Sequence, residues 1–360
     1  MAGELLPAIE ELLARGDFIL GEAVERFEQE FAQWIGVEHA VGVGSGLDAL
    51  RLALLALGIG PGDEVILQAN TFVATALAVA ATGARPVLVD CLPGSQQVDP
   101  DAVAAAVTRR TRALIPVHLH GHPADMDRIT AIAAHHDLAV IEDAAQAHGA
   151  GFRGRRCGSM GRAGCFSFYP TKNLGAFGDG GIVTTGDAAV ASRLRELRNY
   201  GQREKNEHVR AGTNSRLDTI QALVLGRKLA HLDRWNARRR EHAAGYHRLL
   251  ADCGLGLPSV HRDAVAVYHL YVVRSQRRDE LRRHLDERGV HTGIHYPVPI
   301  HLQPAFTALG HRRGEFPVAE RLAGEILSLP MFPELEPVEI ERVADAIRSF
   351  DAGGNAQDER

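Results

Sequence analysis

The sequence predicts an α/β protein built on a mostly parallel β-sheet with helices on both faces. Up to about residue 235, short apolar runs such as "DEVILQ", "ARPVLVD" and "LAVIED" alternate with helical stretches, as is typical of successive βαβ units. These runs are apolar at nearly every position, which indicates strands buried on both faces. With 360 residues, of which 45 % are hydrophobic, the chain is long enough for two domains.

The pattern changes after the long helical segment that follows the last of these runs. Strand-like "AVAVYHLYVVR", helix-like "DELRRHLDERG", the extended "VHTGIHYPVPIHLQP" and a last helix, "PVEIERVADAIRSF", indicate a smaller α+β unit. We therefore expect a large domain at residues 1–235, which includes N-terminal helices, and a small C-terminal domain at residues 236–360. The helix "ALRLALLALG" is apolar nearly all round, so we expect it to be buried and to stop at Gly58.

Composition and charge argue against several classes of protein. A formal net charge of −5 provides no basic field for nucleic acid, and we interpret the arginine-rich "RWNARRREH" as a solvated helix face. No apolar run reaches the roughly 18 residues of a membrane helix, and the N-terminus does not resemble a signal peptide. The scattered cysteines are typical of reduced thiols. We expect a cytoplasmic protein with neither a nucleic-acid nor a membrane partner.

Ligands of parallel sheets bind at the carboxyl ends of the strands, and the first informative strand end is "HAVGVGSGLDALRLALLAL". A strand there passes through Ser45 and Gly46 into a helix whose free amides can bind a phosphate. A dinucleotide fingerprint is excluded, because it requires glycine where the chain has Leu47. Ser45 and Asp48 also fit a capping box, so simple helix capping is an alternative.

The second strand end is "LAVIEDAAQAHGA", in which Glu142 and Asp143 follow an apolar strand. A sheltered carboxylate needs a cationic partner, because an unpaired buried charge is costly. One alternative is an aspartate that caps the next helix. Another is a metal held with His148 and the histidines of "HLHGH", but their spacing matches no zinc pattern and we predict no metal.

The third strand end is "FSFYPTKNLGAFGDGG", which places Lys172 on a glycine-rich turn. A lysine is most often a surface charge, but here it accompanies a phosphate seat and a carboxylate at strand ends. Pyridoxal phosphate requires these three features: a nest for its phosphate, a carboxylate at its ring nitrogen and a lysine for a Schiff base. The sequence therefore predicts pyridoxal phosphate as the cofactor.

Seven or more ordered segments resemble the DegT/StrS-type sugar aminotransferases, which are pyridoxal-phosphate enzymes of the aspartate aminotransferase fold, fold type I. The resemblance runs from "FILGEAVERFEQEFA" through "GSGLDALRLAL", "EDAAQAHGA" and "NSRLDTIQA" to "HYPVPIHLQPAF". It implies a large domain with a mixed, mostly parallel sheet flanked by helices, and a smaller C-terminal α+β domain.

The resemblance also implies a role for each matching residue. Lys172 corresponds to the Schiff-base lysine, which also moves the proton, and Asp143 to the acid that faces the pyridine nitrogen. Further cofactor contacts are implied for the backbone of Gly46 and Leu47 and for Ser167 at the phosphate, for Gln146 at the phenolic oxygen, and for Phe72 on the ring face. A packing role at a helix start is the alternative for Phe72.

Two further implications concern the partner subunit and the substrate. Asn214 corresponds to a residue that reaches the phosphate of the neighbouring subunit's cofactor, which implies a homodimer with shared active sites. His295, Tyr296 and His301 are expected to line the sugar site, and a purely structural role is the alternative for the histidines.

The resemblance implies transamination in deoxyaminosugar biosynthesis, for an antibiotic or a polysaccharide. The amino donor is expected to be L-glutamate, with pyridoxamine phosphate as the intermediate form of the cofactor. "SGLDAL" and "KNEHVRAGTNSRLD" are similar to the subgroup that acts on 3-keto-6-deoxyhexoses, which favours a dTDP-linked 3-keto sugar. The alternatives are a 4-keto sugar nucleotide, a keto-inositol, or a regulator that binds the cofactor without turnover. A dehydratase is disfavoured, because such relatives have histidine where this chain has Lys172.

Overall fold

The structure is a computed structural model that describes residues 2–355 of the chain. Within them the helices are α1 (Ala2–Arg15), α2 (Glu22–Ile35), α3 (Gly46–Ala56), α4 (Val73–Ala80), α5 (Pro100–Ala106), α6 (Met126–His135), α7 (Ala188–Arg198), α8 (Thr219–Leu249), α9 (Arg278–Asp286), α10 (Pro317–Glu325) and α11 (Pro337–Asn355). Short 3₁₀ segments lie at Leu119–Gly121, Ile300–Leu302 and Pro304–Leu309.

The strands of the same residues are short, as expected for an α/β sheet. They are β1 (His39–Val43), β2 (Glu64–Gln68), β3 (Arg85–Val89), β4 (Thr111–Ile115), β5 (Ala139–Asp143), β6 (Gly151–Phe152), β7 (Arg155–Arg156), β8 (Ala163–Ser167), β9 (Gly181–Thr185), β10 (Gln202–Glu204), β11 (Glu207–His208), β12 (Ala264–Val265), β13 (Tyr271–Arg274) and β14 (Ile326–Leu329).

A seven-stranded sheet in the order β1-β9-β8-β5-β4-β2-β3 forms the centre of the molecule. The pairs β8–β5, β5–β4, β4–β2 and β2–β3 are parallel, whereas β9 runs antiparallel to both of its neighbours. The predicted mixed, mostly parallel sheet is therefore confirmed. Because every strand except β9 points the same way, their carboxyl ends lie at one edge.

Helix α3 packs beneath this edge, as its composition predicts. Six of its eleven residues are buried, and together with α4 they form one core with the sheet. The helix ends at Ala56, and Gly58 follows in the left-handed conformation with φ of 77°, as expected of a C-terminal glycine. At the other end Ser45 accepts a hydrogen bond from the amide of Asp48 at 3.1 Å, so the capping interaction is present.

A second core lies around the antiparallel pair β13–β14, between the last part of α8, α9 and α11. Helix α8 joins it to the sheet, because Leu225 and Leu232 pack beside the sheet whereas Ala243 and Tyr246 belong to the second core. The expected boundary at residue 235 falls within this continuous helix, and the division into domains stays a prediction. None of the helices described here is both long enough and apolar enough to cross a membrane.

Candidate active site

Three of the strand ends singled out in the sequence meet at one edge of the sheet. Strand β5 ends at Asp143 and its neighbour β8 ends at Ser167, while β1 leads into the N-terminus of α3. The sheet order places β5 next to β8 and puts only β9 between β8 and β1. The fold thus brings the start of α3 at Gly46 close to the strand ends at Asp143 and Ser167.

The start of α3 forms a narrow seat for an anion. The amides of Gly46 and Leu47 precede the first hydrogen bond of the helix, from the amide of Ala49 to Ser45 at 2.9 Å, so they point out of the helix end. A Cβ atom on Gly46 would lie 2.6 Å from that of Ser167, so only glycine allows this approach. Ser167 accepts a hydrogen bond from the amide of Tyr169 at 3.3 Å, and its own hydroxyl proton is available to a ligand.

Asp143 is a buried carboxylate with two neutral hydrogen-bond donors. The hydroxyl of Thr75 donates to its Oδ2 at 2.8 Å, and the amide of Ala145 donates to its Oδ1 at 3.2 Å. Burial raises the pKa of this carboxyl, and the nearby Lys172 ammonium opposes the shift. Residues 144–150 form turns, so Asp143 caps no helix. It is therefore well placed to accept a hydrogen bond from a cationic ligand.

The sequence does not identify Thr75, whose hydroxyl donates to Asp143. That hydroxyl lies 3.2 Å from the hydroxyl of Thr71, which precedes α4 in the segment "TFVAT" that also carries Phe72. Both threonines are buried. The bond from Thr75 to Asp143 joins residues 68 positions apart, so no local pattern of the sequence predicts it.

Lys172 is partly buried on the turn after β8, where its amide bonds to the carbonyl of Tyr169 at 2.9 Å. Burial lowers the pKa of its amine to about 8, and the carboxylate of Asp143 acts in the opposite direction. The glycines after Lys172 permit this tight turn, since a Cβ atom on Gly175 would lie 2.3 Å from the carbonyl oxygen of Pro170. Near neutral pH a useful fraction of this amine is unprotonated and nucleophilic.

We expect covalent capture of pyridoxal phosphate by the cofactor-free protein to follow the ionisation of Lys172. The neutral amine is the reactive form, so the capture rate should rise with pH and be half-maximal near pH 8. The measurement is the initial rate at which borohydride-fixed cofactor appears on the peptide that contains Lys172, from about pH 6 to about pH 11.5. A midpoint near the usual lysine value of about 10.4 would contradict the proposed shielding of this amine.

Gln146 is held in one orientation by contacts on both sides of its amide. Its Oε1 accepts a hydrogen bond from the amide of His120 at 2.6 Å, and its Nε2 donates to the hydroxyl of Tyr296 at 3.0 Å. His120 has a left-handed backbone with φ of 63°, a conformation that is uncommon outside glycine. The remaining Nε2 proton is free to face a ligand. The role of the His120 amide has no signature in the sequence.

Tyr296 and Phe72 form an aromatic pair next to Gln146, with ring centroids 5.0 Å apart. Phe72 is 49 % exposed at the start of α4, so it does not pack in the core as the alternative required. His295 lies against Tyr296 and bonds through Nδ1 to the hydroxyl of Ser328 at 2.8 Å. Burial lowers the pKa of His295. These contacts place two of the three predicted sugar-site residues beside Gln146.

His301 has a different environment from His295 and Tyr296, the other two residues expected at the sugar site. Its Nε2 lies 2.9 Å from the carboxylate of Glu320, and its ring packs on Phe316 with centroids 4.7 Å apart. Glu320 also accepts a hydrogen bond from the amide of Gly314 at 2.7 Å. These contacts tie the 3₁₀ segment to α10, and a sugar-binding role for His301 stays a prediction.

Asn214 is an exposed residue in the segment before α8. Its amide nitrogen donates to the hydroxyl of Tyr200 at 2.8 Å, and the guanidinium of Arg216 lies 5.6 Å from the centroid of the Tyr200 ring. Tyr200 is itself 47 % exposed. The segment therefore carries a polar and aromatic surface outward, and the role of Asn214 toward a neighbouring subunit stays a prediction.

His118, Glu142 and Cys157 come close enough to suggest a metal site, but hydrogen bonds already occupy this cluster. Nδ1 of His118 accepts from the amide of Ala124 at 3.1 Å, so its Nε2 carries the proton and donates to Glu142 at 3.0 Å. Glu142 also accepts three amides of residues 158–161, at 2.6 to 2.7 Å. Burial raises the pKa of the Cys157 thiol. The cluster holds the loop at residues 158–161 against β5 through hydrogen bonds.

The residues at the sheet edge fit pyridoxal phosphate. Gly46, Leu47 and Ser167 offer donors for a phosphate, and only glycine at position 46 leaves room for the approach. The buried carboxylate of Asp143 accepts hydrogen bonds from two uncharged donors, the Thr75 hydroxyl and the Ala145 amide, and a protonated ring nitrogen would give it a charged partner. His148 stacks near Phe166 and Phe168, and burial lowers its pKa to about 3, so this neighbour adds no competing positive charge.

Comparison with known proteins identifies the class. The model of the DegT/DnrJ/EryC1/StrS aminotransferase family matches residues 1–348. The chain therefore belongs to this family, and it is an aminotransferase that uses pyridoxal phosphate, with pyridoxamine phosphate as the intermediate form. The predictions of family, fold type and cofactor are confirmed.

Two relatives and one crystal structure are similar to this chain over almost its whole length. The chain is 55 % identical to dTDP-3-amino-3,4,6-trideoxy-alpha-D-glucose transaminase of Streptomyces venezuelae, over 95 % of this chain and 91 % of that protein. It is 52 % identical to the erythromycin biosynthesis sensory transduction protein EryC1 of Saccharopolyspora erythraea, over 95 % and 94 %. The crystal structure of S. venezuelae DesV with a ketimine intermediate superposes with a TM-score of 0.95 at 54 % identity, covering 97 % of this chain and 94 % of that one.

Proposed function

We propose that this protein transfers the amino group of L-glutamate to a dTDP-linked 3-keto-6-deoxyhexose and so forms the 3-amino sugar. The observation that carries the proposal is the meeting of Lys172, Asp143 and the α3 N-terminus at one sheet edge, in a chain 55 % identical to a dTDP-3-amino sugar transaminase. A second relative, from Micromonospora megalomicea, bears the same transaminase name at 46 % identity. Both names favour carbon 3 over carbon 4.

The cofactor supplies an electron-accepting ring and carries the amino group between the two substrates. The amides of Gly46 and Leu47 and the hydroxyl of Ser167 would hold its phosphate. Asp143, fixed by Thr75, would keep the ring nitrogen protonated, since an ionised carboxylate in a buried site stabilises a cationic partner.

Lys172 performs the proton transfer in this proposal. Its amine would hold the cofactor covalently at rest, and once released its Nζ would accept a proton from the substrate carbon and donate it again. A pKa of about 8 suits both tasks, because the amine then accepts and releases protons readily near neutral pH.

The sugar would bind beside Gln146, where Tyr296, His295 and Phe72 lie together. Gln146 donates to the Tyr296 hydroxyl, so the tyrosine has its own proton free to donate to a ligand oxygen. Stacked aromatic rings next to hydrogen-bonding groups are typical of surfaces that bind sugars and bases. His301 would contribute from the adjacent 3₁₀ segment.

The functional unit in this proposal is a cytoplasmic homodimer with active sites shared between subunits. Asn214 supports it, because this polar side chain is exposed on a well-fastened segment and faces away from its own subunit's core. The proposal also includes a large domain at 1–235 and a small domain at 236–360, with the sugar site formed where residues 293–301 approach Gln146.

The proposal predicts conversion of 3-keto sugar nucleotides by the cofactor-loaded protein with glutamate. We expect amine formation at carbon 3 of a dTDP-linked 3-keto-6-deoxyhexose, followed by mass spectrometry and NMR of the product. The matched panel contains a 4-keto sugar nucleotide and a keto-inositol, with Lys172→Ala protein as the control. Amination of the 4-keto sugar or the keto-inositol alone would replace the proposed substrate. Cofactor binding without turnover of any acceptor would favour the regulator.

A further inference from the structure

Asp48 lies in the first turn of α3, at the helix end proposed to bind the phosphate, yet its carboxylate bonds away from that end. Its Oδ2 accepts a hydrogen bond from the hydroxyl of Ser215 at 2.7 Å. Its Oδ1 accepts from Nε and Nη2 of Arg51 at 3.1 and 2.9 Å. The reciprocal bond of a capping box, from Asp48 back to Ser45, is replaced by these two contacts.

The contact with Ser215 ties the phosphate-binding helix to the segment that carries Asn214. Ser215 is buried, its hydroxyl accepts from the amide of Gly44 at 3.0 Å, and its own amide donates to the carbonyl of Arg198 at 2.9 Å. The next residue back, Asn214, is exposed and is held from the other side by the hydroxyl of Tyr200. Asp48 is therefore one of the groups that fix the position of Asn214.

The electrostatics of the site explain why the carboxylate bonds in this way. A free carboxylate at the N-terminus of α3 would repel the phosphate dianion that the same helix end attracts. Arg51 compensates the charge of Asp48, and Ser215 occupies its second oxygen. The acidic side chain thus acts as a tether between two segments rather than as a competitor for the anion seat.

We propose that Asp48 is a positioning residue for the cofactor site of the partner subunit. It holds Ser215, and through the backbone it holds the adjacent Asn214, in the orientation that reaches the partner's cofactor phosphate. This inference rests on the proposed sharing of sites across the dimer. The start of α3 would then bind one phosphate in its own subunit and also order the contact that Asn214 makes with the partner's phosphate.

The test uses heterodimers in which only one chain keeps Lys172, purified through two different affinity tags. In the first arrangement, Asp48→Ala is placed in the chain that also carries Lys172→Ala. In the second, it is placed in the chain that keeps Lys172. The readout is the concentration of pyridoxal phosphate that gives half-maximal borohydride fixation to Lys172, which reports one site only.

The proposal predicts that the first arrangement raises this concentration by about tenfold, the effect of one lost hydrogen bond to a charged group. The second arrangement should change it by less than about twofold, since the Asn214 that serves this site is then still held. A rise confined to the second arrangement would mean that Asp48 acts only within its own subunit. That result, or no rise in either arrangement, would overturn the inference.

Asn214→Ala in the same two arrangements separates this inference from the shared-site proposal. If Asn214→Ala acts in the first arrangement and Asp48→Ala does not, only the role of Asp48 is wrong. If Asn214→Ala acts in the second arrangement or in neither, the shared site itself is wrong.

Two further variants control for folding and for charge. Ser215→Ala removes the same hydrogen bond by deleting its donor hydroxyl. We expect it to reproduce the effect of Asp48→Ala, and it provides the test if the Asp48→Ala chain folds poorly. Arg51→Ala keeps the Ser215 contact, and we expect it to leave the first arrangement unchanged. A rise with Arg51→Ala in the first arrangement would assign the effect to charge and contradict the tether.

Discussion

Replacement of Lys172 by alanine is expected to abolish covalent fixation of the cofactor and to lower transamination by at least about a thousandfold, since proton transfer alone contributes about 10²–10⁴-fold. The loss combines the covalent anchor with the group that carries the proton. The measurement is the rate of the glutamate half-reaction, with mass analysis of the borohydride-treated peptides. The fold should survive, because the change removes a partly buried cation whose burial is unfavourable.

Lys228→Ala is the matched control for this prediction. The sequence has three lysines, Lys172, Lys205 and Lys228, and the amine of Lys228 is also half-buried, where burial lowers its pKa. It donates to the carbonyl of Gly175 at 2.5 Å and lies over the ring of Phe177. We expect this variant to retain fixation at Lys172. Cofactor fixed to Lys205 or Lys228 in the unaltered protein would disprove the assignment.

Asp143→Asn is expected to lower kcat by about 10²–10³-fold, the usual effect of removing one preorganised electrostatic group from a buried site. Asparagine keeps the size of the side chain, and its Oδ1 can accept from the Ala145 amide while its Nδ2 donates to the Thr75 hydroxyl, but it cannot stabilise a protonated ring nitrogen. Cofactor capture by Lys172 should persist, so the defect appears in kcat for glutamate rather than in fixation. Thermal stability of the cofactor-free protein should not fall, because burial already disfavours the charged form of this carboxyl.

Glu142→Gln provides the contrast on the adjacent residue. Glu142 bonds to His118 and to the loop at residues 158–161, so we expect the substitution to lower the melting temperature while the loaded enzyme keeps most of its kcat. Equal kcat losses for Asp143→Asn and Glu142→Gln would show that the two carboxylates have no separate roles, against the present assignment.

The sequence predicted those parts of the fold and site that depend on local patterns. Apolar runs marked the strands, and polar residues directly after them marked Asp143 and Lys172, because a parallel sheet collects its strand ends at one edge. The apolar helix after "GSG" was found buried as expected, with its end before Gly58. Each of these predictions depends on the residues of one short, continuous segment.

Contacts between distant segments account for what the sequence did not predict. The bonds from Thr75 to Asp143, from the His120 amide to Gln146 and from Ser215 to Asp48 join residues 26 to 167 positions apart. None of them follows from periodicity or capping rules, since each depends on how helices and loops stack on the finished sheet. The His120 contact also needs a left-handed backbone at a non-glycine residue, which only tertiary packing imposes.

The adjacent carboxylates of β5 carry a consequence for engineering this sheet. Successive side chains of a strand point to opposite faces, so Glu142 reaches the loop at residues 158–161 while Asp143 reaches Thr75. Inserting or deleting a single residue within β5 would exchange the two faces. Glu142 would then face Thr75, and Asp143 would face the backbone amides of residues 158–161. A loop graft that shifts the register of β5 by one residue is therefore expected to abolish activity, although every side chain of the site is retained.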